Sequence, residues 1–390
     1  MSSKTNTVLT IPSPGQVQLR DRPYPRIAPG YALVQVEIAP ICIEHQIYRD
    51  HLFEWHEDEE HLGHEGVGTI IQVAEGSRFQ VGDRAIIYQG NPCGECHVCR
   101  NELSPTHCMA IPYEAIQGGG NPHEQLEALG GGDAMSAPGG LKAIEIACGS
   151  ESGGFGFATY RIAPERMIQP IPDDLPFRYA AAANCSLGCT YSPMAALGVK
   201  EGDWVLAGGI GFIGFGVIIN AKYRGANVIV LGRNEFRMDL SRQMGADHII
   251  DPDDPDWLDQ VRALTGDLQG CDHVFECSGY PYYQKRCLQA VRRYGNMYML
   301  GFLVGVDEPL PIHLLDEIHN RAVTLTGSHD VRVKDREGLV KMLTDPEVQK
   351  KIDLMVTHEF NMSDGAAAFE AALSKKAGKI YLYPQENCPA

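Results

Sequence analysis

The stretch DWVLAGGIGFIGFGVIINAKYRGANVIVLGRN, residues 203–234, narrows the possible folds more than any other part of the chain. It sets an apolar run, a glycine turn, a helix-length apolar segment and a second apolar run in direct succession. Apolar runs without polar alternation suit strands buried on both faces, which implies a parallel sheet covered by helices. HVFECSG (273–279) and GNMYMLGFL (295–303) read as further buried strands, with PYYQKRCLQAVRRY (281–294) as helix between them. The turn itself carries Gly209-x-Gly211-x-x-Gly214. The first glycine permits the tight turn, the second lets a pyrophosphate approach the backbone, and the third lets helix and strand pack closely. With a strand before it and a helix and strand after it, this is a dinucleotide site; a plain tight turn is the alternative.

The strand NVIVL ends at Gly232, where an NAD site usually places Asp or Glu for the ribose 2′-hydroxyl. Arg233 follows, and Arg237 lies one helical turn further. A missing carboxylate and two guanidinium groups suit a 2′-phosphate, so NADP(H) is favoured over NAD(H). The competing reading makes the two arginines ordinary surface residues at a helix start. Candidate cofactor contacts are Gly209, Gly211, Phe212, Ile213, Gly214, Gly232, Arg233 and Arg237, with Cys277, Ser278 and Gly301 on later strand ends.

The first third has a different texture. YALVQVEIAP, GVGTIIQVA and DRAIIYQG alternate between turn signals and read as a β-rich, barrel-like domain. Residues 112–156 are glycine-rich and read as an irregular insert: a lid, an oligomer arm or a mobile segment. The expected organisation is 1–187, then 188–330 as the nucleotide domain, with 331–390 returning to the first. The net charge of −17, from 33 basic and 50 acidic residues, argues against nucleic acid or an anionic membrane as partner. Acidic runs such as EWHEDEE (54–60) and DPDDPDWLD (251–259) read as solvated loops. No apolar run approaches the roughly 20 residues of a membrane span. The opening residues lack a signal-peptide pattern, so a cytoplasmic protein is expected, and its twelve cysteines point to metal or buried thiols.

Four of those cysteines fall in CGECHVCRNELSPTHC, residues 93–108. Cys93, Cys96, Cys99 and Cys108 would close a zinc tetrahedron and leave no open position, which marks a structural site; His107 competes for the fourth place. Chemistry must then lie elsewhere. Cys42 in APICIEH, His64 and Glu65 in LGHEGVG, and Cys185 in AANCSLG are unremarkable singly. Taken together, Cys/His/Cys plus water describes an open, catalytic zinc.

The order of Cys42, GHEGVG, the CxxCxxC cluster and the glycine turn resembles the zinc-dependent medium-chain dehydrogenases, the alcohol, polyol and threonine dehydrogenase relatives. VGDRAIIYQGNPCGEC, GFATYRIAP, ALGVKEGDWVLAGG and FECSG extend the likeness over nearly the whole chain. The resemblance implies an α/β protein: a GroES-like catalytic domain and a Rossmann doubly wound parallel sheet, with a cleft between them. It implies Cys42, His64 and Cys185 on a catalytic zinc, Glu65 exchanging with its water, and Cys93, Cys96, Cys99 and Cys108 on a structural one. Cys108 stands one residue beyond the family's usual spacing. Many polyol-type relatives carry Glu at the Cys185 position, so substrate class does not transfer. The implied chemistry is Lewis-acid activation of an alcohol or carbonyl oxygen, with hydride exchange at the nicotinamide.

The family's usual Ser or Thr proton relay is replaced here by Glu44 and His45, with Ile47 where a histidine often completes it. Either residue would shuttle the proton, or both would merely orient ligands. Phe53, Trp55, His51, His56 and His61 border the substrate or form a solvated loop. The expected function is an NADP(H)-preferring alcohol dehydrogenase or carbonyl reductase for a small polar or sugar-like secondary alcohol, working as a homodimer or homotetramer. Two alternatives stand: a lyase or epimerase with transient internal oxidation, and a non-enzymatic nucleotide-binding protein.

Overall fold

YALVQVEIAPI places Val, Ile and Ala at regular intervals and forms the strand Tyr31–Ile41 inside a seven-stranded sheet. The computed structural model describes residues 4–50, 60, 61, 63–110, 141–301, 310–328 and 330–389. The sheet runs Val356–Asn361, Lys379–Tyr383, Tyr31–Ile41, Gly66–Val73, Arg84–Ile87 and Ile168–Pro170. Tyr31–Ile41 changes partner along one edge: Tyr160–Pro164 pairs with its first half, and Ile380–Leu382 with Ala39–Ile41. This switch carries the last strand of the chain to the end of Tyr31–Ile41, beside Cys42. Gln16–Pro23, Thr5–Ser13 and Glu60–His61 form a separate antiparallel sheet. Leu9, Val36, Ala39, Phe157, Phe369 and Leu382 fill the core, where Tyr48 stacks on Phe369 with ring centroids 5.0 Å apart.

The second sheet runs His248–Ile250, Asn227–Leu231, Trp204–Gly208, Cys271–Glu276, Val291–Met299 and Thr324–Gly327, all parallel. That is the doubly wound order, with the first strand central and the chain reversing direction beside it. The three central strands, Asn227–Leu231, Trp204–Gly208 and Cys271–Glu276, are buried along almost their whole length, as the unbroken apolar runs require. The segment read as helix to residue 294 is helical only for Pro281–Ala290. Val291 instead pairs with Cys271, and the ladder resumes at His273 with Asn296, so residues 292–295 bulge, with Tyr294 at φ 57°. Arg292 is fixed there by its bond to Asp272 at 2.7 Å.

The chain divides into two units. Met1–Asn184, Arg332–Leu343 and Val356–Ala390 form the first; Cys185–Val331 and Thr344–Met355 form the second. The tail is thus shared, because the helix Pro346–Met355 packs on Phe212–Tyr223 of the second unit. Of the glycine-rich insert, residues 111–140 lie outside the described residues. Of the remainder, Leu141–Cys148 is a helix whose Ile144 is buried against Leu33, Phe155 and Ile162, and residues 149–156 are irregular, as expected. His51, Phe53, Trp55 and His56 also lie outside the described residues, and His61 pairs with Thr10. Among the described residues, no helix is long and apolar enough to cross a membrane.

Candidate metal and cofactor sites

Residues 93–108 wind around their own sulfur atoms through a helical turn, His97–Arg100, and a tighter one, Pro105–His107. The Sγ separations are 3.5 Å for Cys96–Cys99, 3.8 Å for Cys99–Cys108, 3.9 Å for Cys96–Cys108 and 4.0 Å for Cys93–Cys99. Four sulfurs about 2.3 Å from one zinc at tetrahedral angles stand about 3.8 Å apart, so this donor set fits the ion closely. Backbone N–H groups of Glu95 and Met109 donate to Cys93 and Cys96 at 3.4 Å each, and that of Cys93 to Cys108 at 3.3 Å. Donors of this kind favour thiolate; those of Cys99 and Met109 pull Cys96 down to about 6. Cys108, fully buried, completes the group, while His107 Nδ1 lies 3.3 Å from the Thr106 hydroxyl.

The second group is assembled from distant parts of the chain. Cys42 follows Tyr31–Ile41 directly, and His64 and Glu65 precede its antiparallel neighbour Gly66–Val73, so all three fall at one end of the pair. Gly63 sets the approach: its φ is 96°, and a Cβ there would lie 2.6 Å from the Phe157 backbone nitrogen. Cys185 opens the helix Cys185–Leu197, where the helix dipole favours a thiolate. One ligand atom from each of Cys42, His64, Glu65 and Cys185 lies within 4.8 Å of all the others. Two sulfurs, an imidazole nitrogen and a carboxylate oxygen form a donor set suited to zinc.

Glu44 is buried behind this group. Its Oε1 lies 2.7 Å from His64 Nδ1, and its Oε2 accepts the Cys42 N–H at 2.8 Å. Burial alone would raise its pKa, but the charge and hydrogen bond of His64, with backbone donors, hold it at about 2. An ionised Glu44 keeps a proton on Nδ1 and makes Nε2 the candidate ligand atom. His45, half-buried, turns Nδ1 to the Cys42 carbonyl. Ile47 belongs to the core.

Two buried cations, absent from the sequence-derived candidates, complete the surroundings. Lys379 Nζ donates to Glu65 Oε1 at 2.6 Å with both side chains fully buried, while Glu65 Oε2 has no hydrogen-bond partner among the described residues. Arg161, also buried, donates to the His64 carbonyl at 3.1 Å; burial lowers its pKa to about 10 against the pull of Glu44 and Glu65. The two cations match the two carboxylates, so the charge of a zinc ion is left for two thiolates to balance. The available signal was a cation inside an apolar strand: KIYLY and YRIAP.

In the second unit, Gly209 has φ 104°, and a Cβ on Gly214 would lie 2.1 Å from the Gly209 carbonyl oxygen. Gly211 faces open space, leaving its backbone accessible at the start of the helix carrying Phe212 and Ile213. The Cys277 N–H donates to the Gly208 carbonyl at 2.8 Å, so the next strand end lies beside this turn. Ser278 donates from its N–H and hydroxyl to buried Glu276 at 2.7 and 2.6 Å. Gly301 packs so tightly that a Cβ would meet the Gly279 nitrogen at 2.0 Å. At Gly232 a Cβ would lie 2.4 Å from Ile210 Cδ1, so no acidic side chain fits without moving Ile210. Arg233 is half-exposed and bonded to Asp253 at 2.8 Å; Arg237 is half-buried at the start of Glu235–Gln243. An open glycine backbone at a helix start on a doubly wound sheet fits a dinucleotide.

Residues 28–173 match the family model "alcohol dehydrogenase GroES-like domain", and residues 213–345 match "zinc-binding dehydrogenase". The chain is 28% identical over 327 residues to a sorbitol dehydrogenase of Halalkalibacterium halodurans, covering 83% of each. It is 26% identical over 394 aligned positions to an L-threonine 3-dehydrogenase of Pyrococcus furiosus, covering 97% of this chain and 99% of that one. An alcohol dehydrogenase from Thermus sp. ATN1 shares the fold with a TM-score of 0.77 at 22% identity, covering 97% and 99% of the two chains. With both family domains matched in order, and a GroES-like unit followed by a Rossmann sheet, the chain belongs to the zinc-containing medium-chain dehydrogenases.

Proposed function

We propose that the protein is a zinc-dependent oxidoreductase that exchanges a hydride between NADP(H) and a small, polar or sugar-like secondary alcohol or its carbonyl. The convergence of Cys42, His64, Glu65 and Cys185 carries this reading. Zinc, when bound, supplies Lewis acidity, and the nicotinamide supplies the two-electron couple. Cys42, His64 and Cys185 hold the metal. Glu65 is a fourth donor held back by Lys379, and Glu44 fixes the tautomer of His64. His45 is the side chain assigned to proton exchange with solvent. Cys93, Cys96, Cys99 and Cys108 hold a second zinc that braces their own loop.

The preference for NADP(H) is supported by the closed space at Gly232 and by Arg233 and Arg237 beside it. Assembly into a homodimer or homotetramer is supported by Thr324–Gly327, the terminal strand of its sheet, exposed at all four positions, with Leu314 and Leu315 exposed nearby in sequence. A cytoplasmic location is part of the same reading.

The test is a metal and nucleotide inventory of the purified protein, followed by an alcohol and carbonyl panel with both cofactors. Two zincs per chain and net turnover, faster with NADP(H), are expected. A single zinc would remove the catalytic assignment. Tightly held nucleotide with no net redox would point instead to internal oxidation and re-reduction of one substrate.

A further inference from the structure

Asp253 follows the strand His248–Ile250, which lies next in the sheet to Asn227–Leu231, so the two strand ends bring residue 253 beside Arg233. Asp253 Oδ2 accepts from Arg233 Nη1 at 2.8 Å, and Oδ1 accepts from the Tyr282 hydroxyl. The guanidinium of Arg286 stacks 3.6 Å from the Tyr282 ring centroid, and that of Arg233 lies 5.3 Å from it. Arg286 is held in place by its Nε bond to the Pro252 carbonyl at 2.8 Å. Arg233 and Asp253 are each about half exposed, so a soluble anion can reach the pair.

We infer that Asp253 is a specificity-determining residue: a resident carboxylate on Arg233 that the 2′-phosphate of the cofactor must displace. The inference rests on the reading that Arg233 meets that phosphate. A guanidinium edge serves one paired anion at a time, and a phosphate monoester near pH 7 carries more charge than a carboxylate. Once displaced, Asp253 keeps the Tyr282 hydroxyl as its donor, so release leaves no unpaired carboxylate. Arg286, stacked on the same ring, adds a second positive charge to the cluster. A cofactor ending in a 2′-hydroxyl brings no charge to contest the pair. Asp253 therefore weakens NADP(H) binding and leaves NAD(H) binding nearly untouched.

The experiment measures NADP+ and NAD+ dissociation constants on the full-length protein by calorimetry, at low and high salt. It compares wild type with Asp253→Asn, Asp253→Ser, Arg233→Ala and the Arg233→Ala/Asp253→Asn double variant. Removing the carboxylate should tighten NADP+ by about three- to tenfold, less at high salt, with NAD+ unchanged within about twofold. The gain should vanish in the double variant. If Arg233→Ala weakens NADP+ while neither Asp253 variant changes it, the competitor role is wrong and the cofactor reading stands. If the Asp253 variants weaken NAD+ instead, Asp253 holds the ribose hydroxyl and the inference is overturned. If Arg233→Ala affects neither cofactor, the NADP(H) reading fails first.

Discussion

The cysteine cage and the Cys42–His64–Glu65–Cys185 group offer zinc a similar number of donors, but they are built in opposite ways. All four cage ligands come from residues 93–108, closed by local turns, and their sulfurs are supported mainly by backbone N–H groups of the same loop. The second group waits on long-range strand pairing and sits among buried charges, Glu44, Arg161 and Lys379, that already balance its carboxylate. A local cage makes a loop depend on its metal. A group fixed by the fold can lose its metal and keep its shape.

The widest separation is expected from ligand removal. Cys42→Ala or Cys185→Ala should lower kcat/KM by about a thousandfold or more, roughly 4 kcal/mol of transition-state stabilisation. The thermal midpoint should change little. Cys96→Ala should do the reverse, retaining much of the turnover per folded molecule while exchange protection in residues 93–108 collapses. Paired kinetics and hydrogen-exchange measurements read both. If Cys185→Ala strips exchange protection from the segments around Cys42 and His64 as Cys96→Ala does from residues 93–108, the second group is structural as well and the contrast is lost.

Next in size is the buried pair. Lys379→Met leaves the Glu65 carboxyl in a fully enclosed position with no cation on Oε1. Breaking a buried pair from one side costs about 3–5 kcal/mol. Chemical denaturation of the zinc-loaded protein should show that loss, and Lys379→Met/Glu65→Gln should recover most of it. Little loss in the single variant would mean that Glu65 takes its compensation from the metal, so the site would not be charge-balanced without it.

The pair also marks what sequence could and could not reveal. The cage was legible because its spacing is local, and the nucleotide turn because strand, glycines and helix are contiguous. Cys42, His64 and Cys185 became legible only as a set. Lys379 and Arg161 were not, since their places depend on the partner switch along Tyr31–Ile41, which no local pattern encodes. The strand beginning at Val291 was hidden because VRRY continues a helical pattern, and only pairing with Cys271 ends it. At Gly232 the sequence showed a missing acid; the side chain of Ile210 supplies the steric reason.

Glu44→Gln should have a smaller effect and sharpens the role of the inner carboxylate. The amide keeps the shape but weakens the bond to His64 Nδ1, and comparable outer partners of metal ligands are worth about 10–100-fold in metal affinity or activity. Competition with a chromophoric chelator should show faster loss of one zinc of the two. Unchanged zinc binding with a fall in kcat alone would make Glu44 the proton relay rather than the orienting group.

The smallest effect is expected at His107. The sulfur of Cys108 stands 3.8 Å from Cys99 and 3.9 Å from Cys96, so the tetrahedron is complete without the imidazole. His107→Ala should leave the zinc content unchanged and shift stability by no more than about 0.5 kcal/mol, as for a residue outside the cage. Cys108→Ala should lose the cage zinc. Metal analysis of the two variants after dialysis decides between them, because a three-sulfur site recruiting His107 would retain its ion in the second variant. Retention there would mean that the loop tolerates either fourth donor, so the cage would be less rigidly prescribed by its sequence than the remote group is by the fold.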